Sequence, residues 1–206
     1  MSLESSIILK RNLLVVEGTD ECFFFRALLA KLNLNNIQII CYEGKTRFRH
    51  FISALVATPG WANVQTLGIS RDADEDPTAA FQSVVSSLRA TGLSSPRRPL
   101  EITRSHPKTV VLILPDEASQ GMLEDLCLRT VQRDSAMTCV NRFFQCLGDK
   151  RVPSPRNIAK AKVHVFLASR KDADKRLGEG ALAGYWNFSS RSITHVKGFL
   201  RLVAMR

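Results

Sequence analysis

Four runs rich in Val, Ile and Leu, each followed by a stretch with helical spacing, constrain this chain more than any other feature. A strand that reads as one continuous apolar run is buried on both faces. Regular alternation with helices is what a parallel sheet requires, because each parallel pair needs a long crossover connection. The first run, residues 13–16, ends at Glu17-Gly18. Thr19 or Asp20 caps the helix that follows, in which Phe24, Leu28 and Leu32 recur at helical intervals. The second run, 37–42, ends at Glu43-Gly44, and its helix, 47–57, stops before Pro59-Gly60. The third, 64–69, runs into an acidic cluster; its helix spans 77–90, with Pro77 in the first turn where a helix tolerates proline best. The fourth, 109–114, ends at Pro115-Asp116 and leads to a helix over 122–132. Between the third helix and the fourth strand, 92–107 carries three prolines and reads as an irregular crossing.

The expectation is an α/β fold: a mostly parallel, Rossmann-like four-stranded sheet flanked by helices over residues 1–132. A basic, mainly helical accessory subdomain at 133–206 is expected to pack on that core. Within it, 158–168 reads as a helix, or as a helix leading into a short strand at 163–166, and 181–186 and 193–203 read as two further short helices. With 206 residues and 45% apolar composition, such a core is readily filled. No apolar run approaches the roughly 18 to 20 residues that span a bilayer, so neither secretion nor membrane insertion is expected. The five cysteines are odd in number and contain no Cys-x-x-Cys pair. That argues against a disulfide framework and a zinc site, and for reduced, mostly buried thiols in a cytoplasmic protein.

Right-handed crossovers bring the carboxyl ends of the strands to one edge of the sheet, where open α/β sheets bind ligands. Glu17, Glu43, Asp72, Asp74 and Asp116 all fall on that rim. Residues 72–76 alone hold four carboxylates, Asp72, Asp74, Glu75 and Asp76. On extended chain, i and i+2 face the same side. Like charges about 4 Å apart near a surface repel by roughly 4 kcal/mol. The cluster is therefore splayed into water, partly protonated or occupied by a cation, and a hard divalent ion with oxygen ligands fits best. Asp and Glu after strands also serve as helix caps.

The formal charge is 29 minus 19, or +10, and it is uneven. Residues 1–100 hold 11 basic against 9 acidic groups, and 101–206 hold 18 against 10, giving +2 and +8. A basic surplus of this kind favours nucleic acid, although charge runs also occur simply as solvated faces. Other chemistries fail on their own terms. Glu43-Gly44-Lys45-Thr46 ends like a P-loop, but the first glycine of that motif falls on Ile39, so Lys45 is left as a phosphate contact on the rim. The four histidines show no metal spacing with one another or with cysteine. Arg97-Arg98, in the proline-bearing loop, is either a phosphate-backbone contact or a solvated turn.

Val16-Glu17-Gly18 at the end of strand one, with Asp72-x-Asp74 at the end of strand three, resembles the Toprim domain over residues 10–130. More closely, residues 15–20 (Val-Val-Glu-Gly-Thr-Asp), 121–126 and 181–188 resemble the small stand-alone Toprim-like proteins related to OLD-family nucleases. The resemblance implies that Glu17 is a metal ligand or general acid/base and that Asp72 and Asp74 bind Mg²⁺, with Mn²⁺ as a substitute. It implies a metal role for Asp20 as well. Asp76 is either a further ligand or a helix cap, and Glu124 either a ligand or a solvent-facing helix residue. The lysine that OLD-like nucleases place at the scissile phosphate corresponds to Lys160 or Lys162, with solvated helix lysines as the alternative. Three functions remain open on this reading: a Mg²⁺-dependent nuclease, a non-catalytic module binding nucleic acid or a separately encoded ATPase, and a metal-dependent small-molecule phosphohydrolase.

Overall fold

All five residues of β1 (Asn12–Val16) are buried, so helices cover the sheet on both sides. In this computed structural model the described residues are 7–42 and 48–205. Glu43 and Lys45 lie outside them. The chain continues through α1 (Thr19–Lys31), β2 (Ile37–Cys41), α2 (Phe48–Val56), β3 (Thr66–Asp72), α3 (Pro77–Ala90) and β4 (Lys108–Leu114). Then come α4 (Leu123–Thr130), α5 (Ala136–Asp149), α6 (Ile158–Ala168), α7 (Leu177–Leu182) and α8 (Thr194–Ala204). The four strands are all parallel, in the order β2-β1-β3-β4, as the alternation of apolar runs and helices predicts.

Alternate residues divide the core. Leu13, Val15, Leu67, Ile69, Val111 and Ile113 face α2 and α3, with Phe51, Ile52, Phe81 and Val84. Leu14, Val16, Val110, Leu112 and Leu114 face the other way, onto α1, α4 and α8. Residues on both sides of position 132 share this second core: Phe24 and Leu126 bury with Phe166, Trp186 and Phe199. Gly68 shows how α8 reaches the sheet. A Cβ there would lie 2.4 Å from Val203 Cγ2 and 3.1 Å from Phe199 Cζ, so the bare backbone of β3 is the seat on which α8 rests.

Several elements differ from the sequence reading. Residues 163–166 form no strand: Ala159, Val163, Phe166 and Leu167 bury at helical intervals, and Asn157 caps α6 by accepting from Lys160 N–H at 2.8 Å. α5 had no counterpart in that reading, although Met137, Val140, Phe144 and Leu147 stand at helical spacing. Exposed Phe143, Cys139 and Cys146 blur the stripe. α7 begins earlier than expected and ends at Leu182, where the chain turns through Gly184 at φ +78°. Trp186 then folds back, donating Nε1–H to Leu177 O at 2.9 Å and stacking on Phe166. Cys22 and Cys41 are joined as a disulfide, against the expectation of reduced thiols, because α1 lies along β2 with their Cα atoms 6.3 Å apart. No described helix is long and apolar enough to cross a membrane.

Candidate active site

The chain leaves β1 toward β2 on one side and returns on the other to β3, so the order β2-β1-β3-β4 reverses direction between β1 and β3. The carboxyl ends of strands flanking such a reversal open a crevice. Val15 pairs with Ile69, so two residues on, Glu17 comes level with Arg71. Arg71 Nε lies 3.7 Å from Glu17 Oε2, and the same guanidinium donates to Tyr42 Oη at 3.2 Å. Both partners of the ion pair are largely buried, with side chains 9% and 14% exposed. Arg71 was not singled out in the sequence, since only the register shows that it faces Glu17. Asp72, one step further, turns to the opposite side of the sheet and accepts from Leu123 N–H at the start of α4 at 3.1 Å.

Around Asp72 the structure collects acids from three further elements. Burial raises the Asp72 carboxyl well above its ordinary range, and Glu21, Glu124, Glu17 and Asp74 push it the same way. Glu21, on the first turn of α1, is raised by burial and by Glu124, Glu17 and Asp20. The sequence reading missed Glu21; its position four residues after Glu17, one helical turn into α1, was the available signal. Glu124 does not face solvent: its side chain is 16% exposed, burial raises its carboxyl, and Lys160 Nζ sits 3.7 Å away.

Asp20 is fixed differently. Its Oδ1 accepts from Gly178 N–H at 2.8 Å, tying α7 to the start of α1. The approach is close: a Cβ on Gly178 would meet Asp20 O at 2.7 Å, so glycine there is what lets the amide reach the carboxylate. Asp74, at φ +53°, exchanges two backbone hydrogen bonds with Gly121 that hold the end of β3 against the approach to α4.

Other rim candidates go elsewhere. Asp76 Oδ1 accepts from Thr78 and Ala79 N–H and caps α3, the cap being one of its two expected roles. Asp116 turns away to Arg129; burial would raise its carboxyl, but hydrogen bonds from Arg129 and the Ala118 and Ser119 amides outweigh that and hold it low. Lys162 donates to Asn141 Oδ1 at 3.2 Å, because two residues on a helix turn about 200° from Lys160. Arg97 and Arg98 are exposed and precede a half-buried run, 100–103, that returns antiparallel along the outer edge of β4, two strands from β1; Arg97 lines a separate cavity of about 510 Å³.

Glu17, Asp20, Glu21, Asp72 and Glu124 offer only carboxylate oxygen, the donor set of a hard divalent cation. Arg71 and Lys160 offset two of the five charges. Among the described residues, no three acids stand close enough to cage an ion as they are. The fit to a cation therefore rests on donor chemistry and on the mutual repulsion that a divalent charge relieves.

A family described as protein of unknown function (DUF3226) matches residues 11–204. No curated protein matches the chain in sequence. Among solved structures, the C-terminal region of the OLD protein of Xanthomonas campestris pv. campestris is similar in fold, at TM-score 0.53 and 15% identity, covering 96% of each chain. The C-terminal region of the Burkholderia pseudomallei OLD protein is similar at TM-score 0.50 and 17% identity, covering 96% of this chain and 98% of that one.

Proposed function

This chain belongs to the DUF3226 family, and on that footing we propose that it hydrolyses nucleic-acid phosphodiester bonds with the aid of Mg²⁺, for which Mn²⁺ substitutes. The observation that carries the reading is the gathering of Glu17, Glu21, Asp72 and Glu124 at the β1/β3 reversal, three of them raised first by burial and then by neighbouring carboxylates. Glu17, Asp20, Glu21, Asp72 and Glu124, with Asp74 beside Asp72, would hold the cation. Bound there, a divalent cation would supply charge neutralisation at phosphate oxygens and activation of a water.

The remaining chemistry belongs to the chain. The Arg71 guanidinium sets the Glu17 carboxylate, Gly178 N–H sets Asp20 and Leu123 N–H sets Asp72, so the acids are oriented before substrate arrives. Glu17 is the group placed to take or give a proton. Lys160, beside Glu124, is the cation that faces a phosphate. The surplus of +8 in residues 101–206 draws a polyanion to the same molecule. The likeness of Val16-Glu17-Gly18 and Asp72-x-Asp74 to Toprim motifs, and of the fold to OLD C-terminal regions, supports the same function and suggests a separately encoded ATPase as a partner.

The test is cleavage of single- and double-stranded DNA and RNA with Mg²⁺ or Mn²⁺, with and without chelator, in the parent, Glu17→Gln and Asp72→Asn. Metal-dependent cutting lost in both variants supports the reading, and equal activity in all three refutes it. The spacing of the acids favours one second reading, a non-catalytic module that binds nucleic acid. It requires retained binding in both variants and no cleavage at any metal concentration.

A further inference from the structure

A cavity of about 630 Å³ lies at the far end of α1 from the acid cluster. Asp20 is in the first turn of α1 and Lys31 in the last, about 17 Å apart at 1.5 Å per residue. Lys31, Arg133 and Arg170 line the cavity together with Asp134 and the rings of Tyr185, Trp186 and Phe188. Arg170 is committed: its two terminal nitrogens grip the Asp134 carboxylate at 3.1 and 3.2 Å, and its guanidinium lies 4.2 Å over the Phe166 ring. That pair cancels the one acid in the wall. Lys31 and Arg133 are exposed, and among the described residues neither is paired with a carboxylate. The wall therefore keeps two unneutralised cations.

The rings are fixed before any ligand arrives. Tyr185 Oη donates to the Asp172 carboxylate at 3.2 Å, and Phe188 packs edge-on against Phe24 at 5.4 Å between centroids. Both are half-buried, and exposed Asn187 and Ser189 add polar groups to the lining. The volume is that of a small-molecule site and too large for a bare phosphate. A lipid would need a wall more apolar than two half-buried rings with a buried tryptophan behind them. Two cations beside the fixed, half-buried rings of Tyr185 and Phe188 are the combination that binds a phosphate and packs a base. We propose that this cavity binds a phosphorylated nucleoside, either free or at the end of a single strand, independently of the acid cluster.

Titrate the full chain, in chelator, with a nucleoside monophosphate, a single-stranded tetranucleotide, the unphosphorylated nucleoside and inorganic phosphate. Calorimetry and the fluorescence of Trp186, in a Trp61→Phe background, report binding. At least one phosphorylated nucleoside binds at least tenfold tighter than either fragment; tighter mononucleotide identifies a free nucleotide, and tighter tetranucleotide a strand end. Lys31→Glu and Arg133→Glu each weaken binding at least tenfold, and the same reversal at exposed Arg49 on α2 does not. Asp72→Asn binds like the parent, which keeps this result separate from the fate of the proposed nuclease. Binding that ignores Lys31 and Arg133, that inorganic phosphate matches, that Asp72→Asn abolishes, or that is absent for both nucleotides overturns the proposal.

Discussion

Replacing Asp72 by Asn stabilises the metal-free protein at neutral pH while removing the proposed activity. The carboxylate is buried and surrounded by Glu21, Glu124, Glu17 and Asp74, and its pKa is raised well above the ordinary value. The folded state therefore holds its proton more tightly than the unfolded chain does. Stability from this group is fully present below the unfolded pKa near 4 and falls as pH rises through the higher folded value. Asn is isosteric, carries no charge, and its carbonyl still accepts the Leu123 amide. A like charge about 8 Å away at an effective dielectric near 20 costs about 2 kcal/mol. For a chain of this size that converts to a rise in Tm of about 4–8 °C at pH 8. Thermal unfolding in chelator at pH 5 and pH 8 measures it: the parent loses Tm toward pH 8, and the variant loses less. Mg²⁺ at about a hundred times its Kd stabilises the parent by about 2.7 kcal/mol. The variant gains much less from it. A variant that melts at or below the parent at pH 8, with the same pH dependence, refutes the argument that Asp72 is held against its own charge.

Arg71→Met leaves Glu17 buried without its guanidinium partner and costs about 3 kcal/mol. Adding Glu17→Gln recovers part of this in urea denaturation, whereas equal loss in the single and double variants excludes the ion pair as the cause. Gly68→Ala drives a methyl into Val203 and costs about 1–3 kcal/mol; Val203→Ala, which destabilises the parent, costs less or restores stability in the Gly68→Ala chain. Asp76→Ala removes the α3 cap and lowers stability by about 1 kcal/mol, with metal affinity by calorimetry unchanged. A loss of metal affinity there instead makes Asp76 a ligand.

What could be read from the chain is what depends on neighbours in sequence. The four strands follow from short apolar runs. α3 falls on 77–90 as expected, because Pro77 at its first turn and the Asp76 carboxylate on two of its amides are both local signals. α6 shows the limit of that method. An apolar run at 163–166 suits a strand as well as a helix, and only packing against α4, α5 and α7 makes the helical face the buried one.

The site divides along the same line. Glu17, Asp72 and Asp74 were legible as candidates because each lies at or just past the end of a strand that follows from an apolar run, and all parallel strands end at one edge. That Glu21 and Glu124 complete the cluster, that Lys160 and not Lys162 reaches it, and that Asp116 leaves it were set by helix rotation and by the docking of α4 and α6. The pairing of Arg71 with Glu17 depends on the Val15 to Ile69 register, and the Cys22–Cys41 bond on how α1 lies along β2. Periodicity is a one-dimensional property and survives in the sequence. The direction of a side chain at a distance of fifty to a hundred and sixty residues exists only once the backbone is folded.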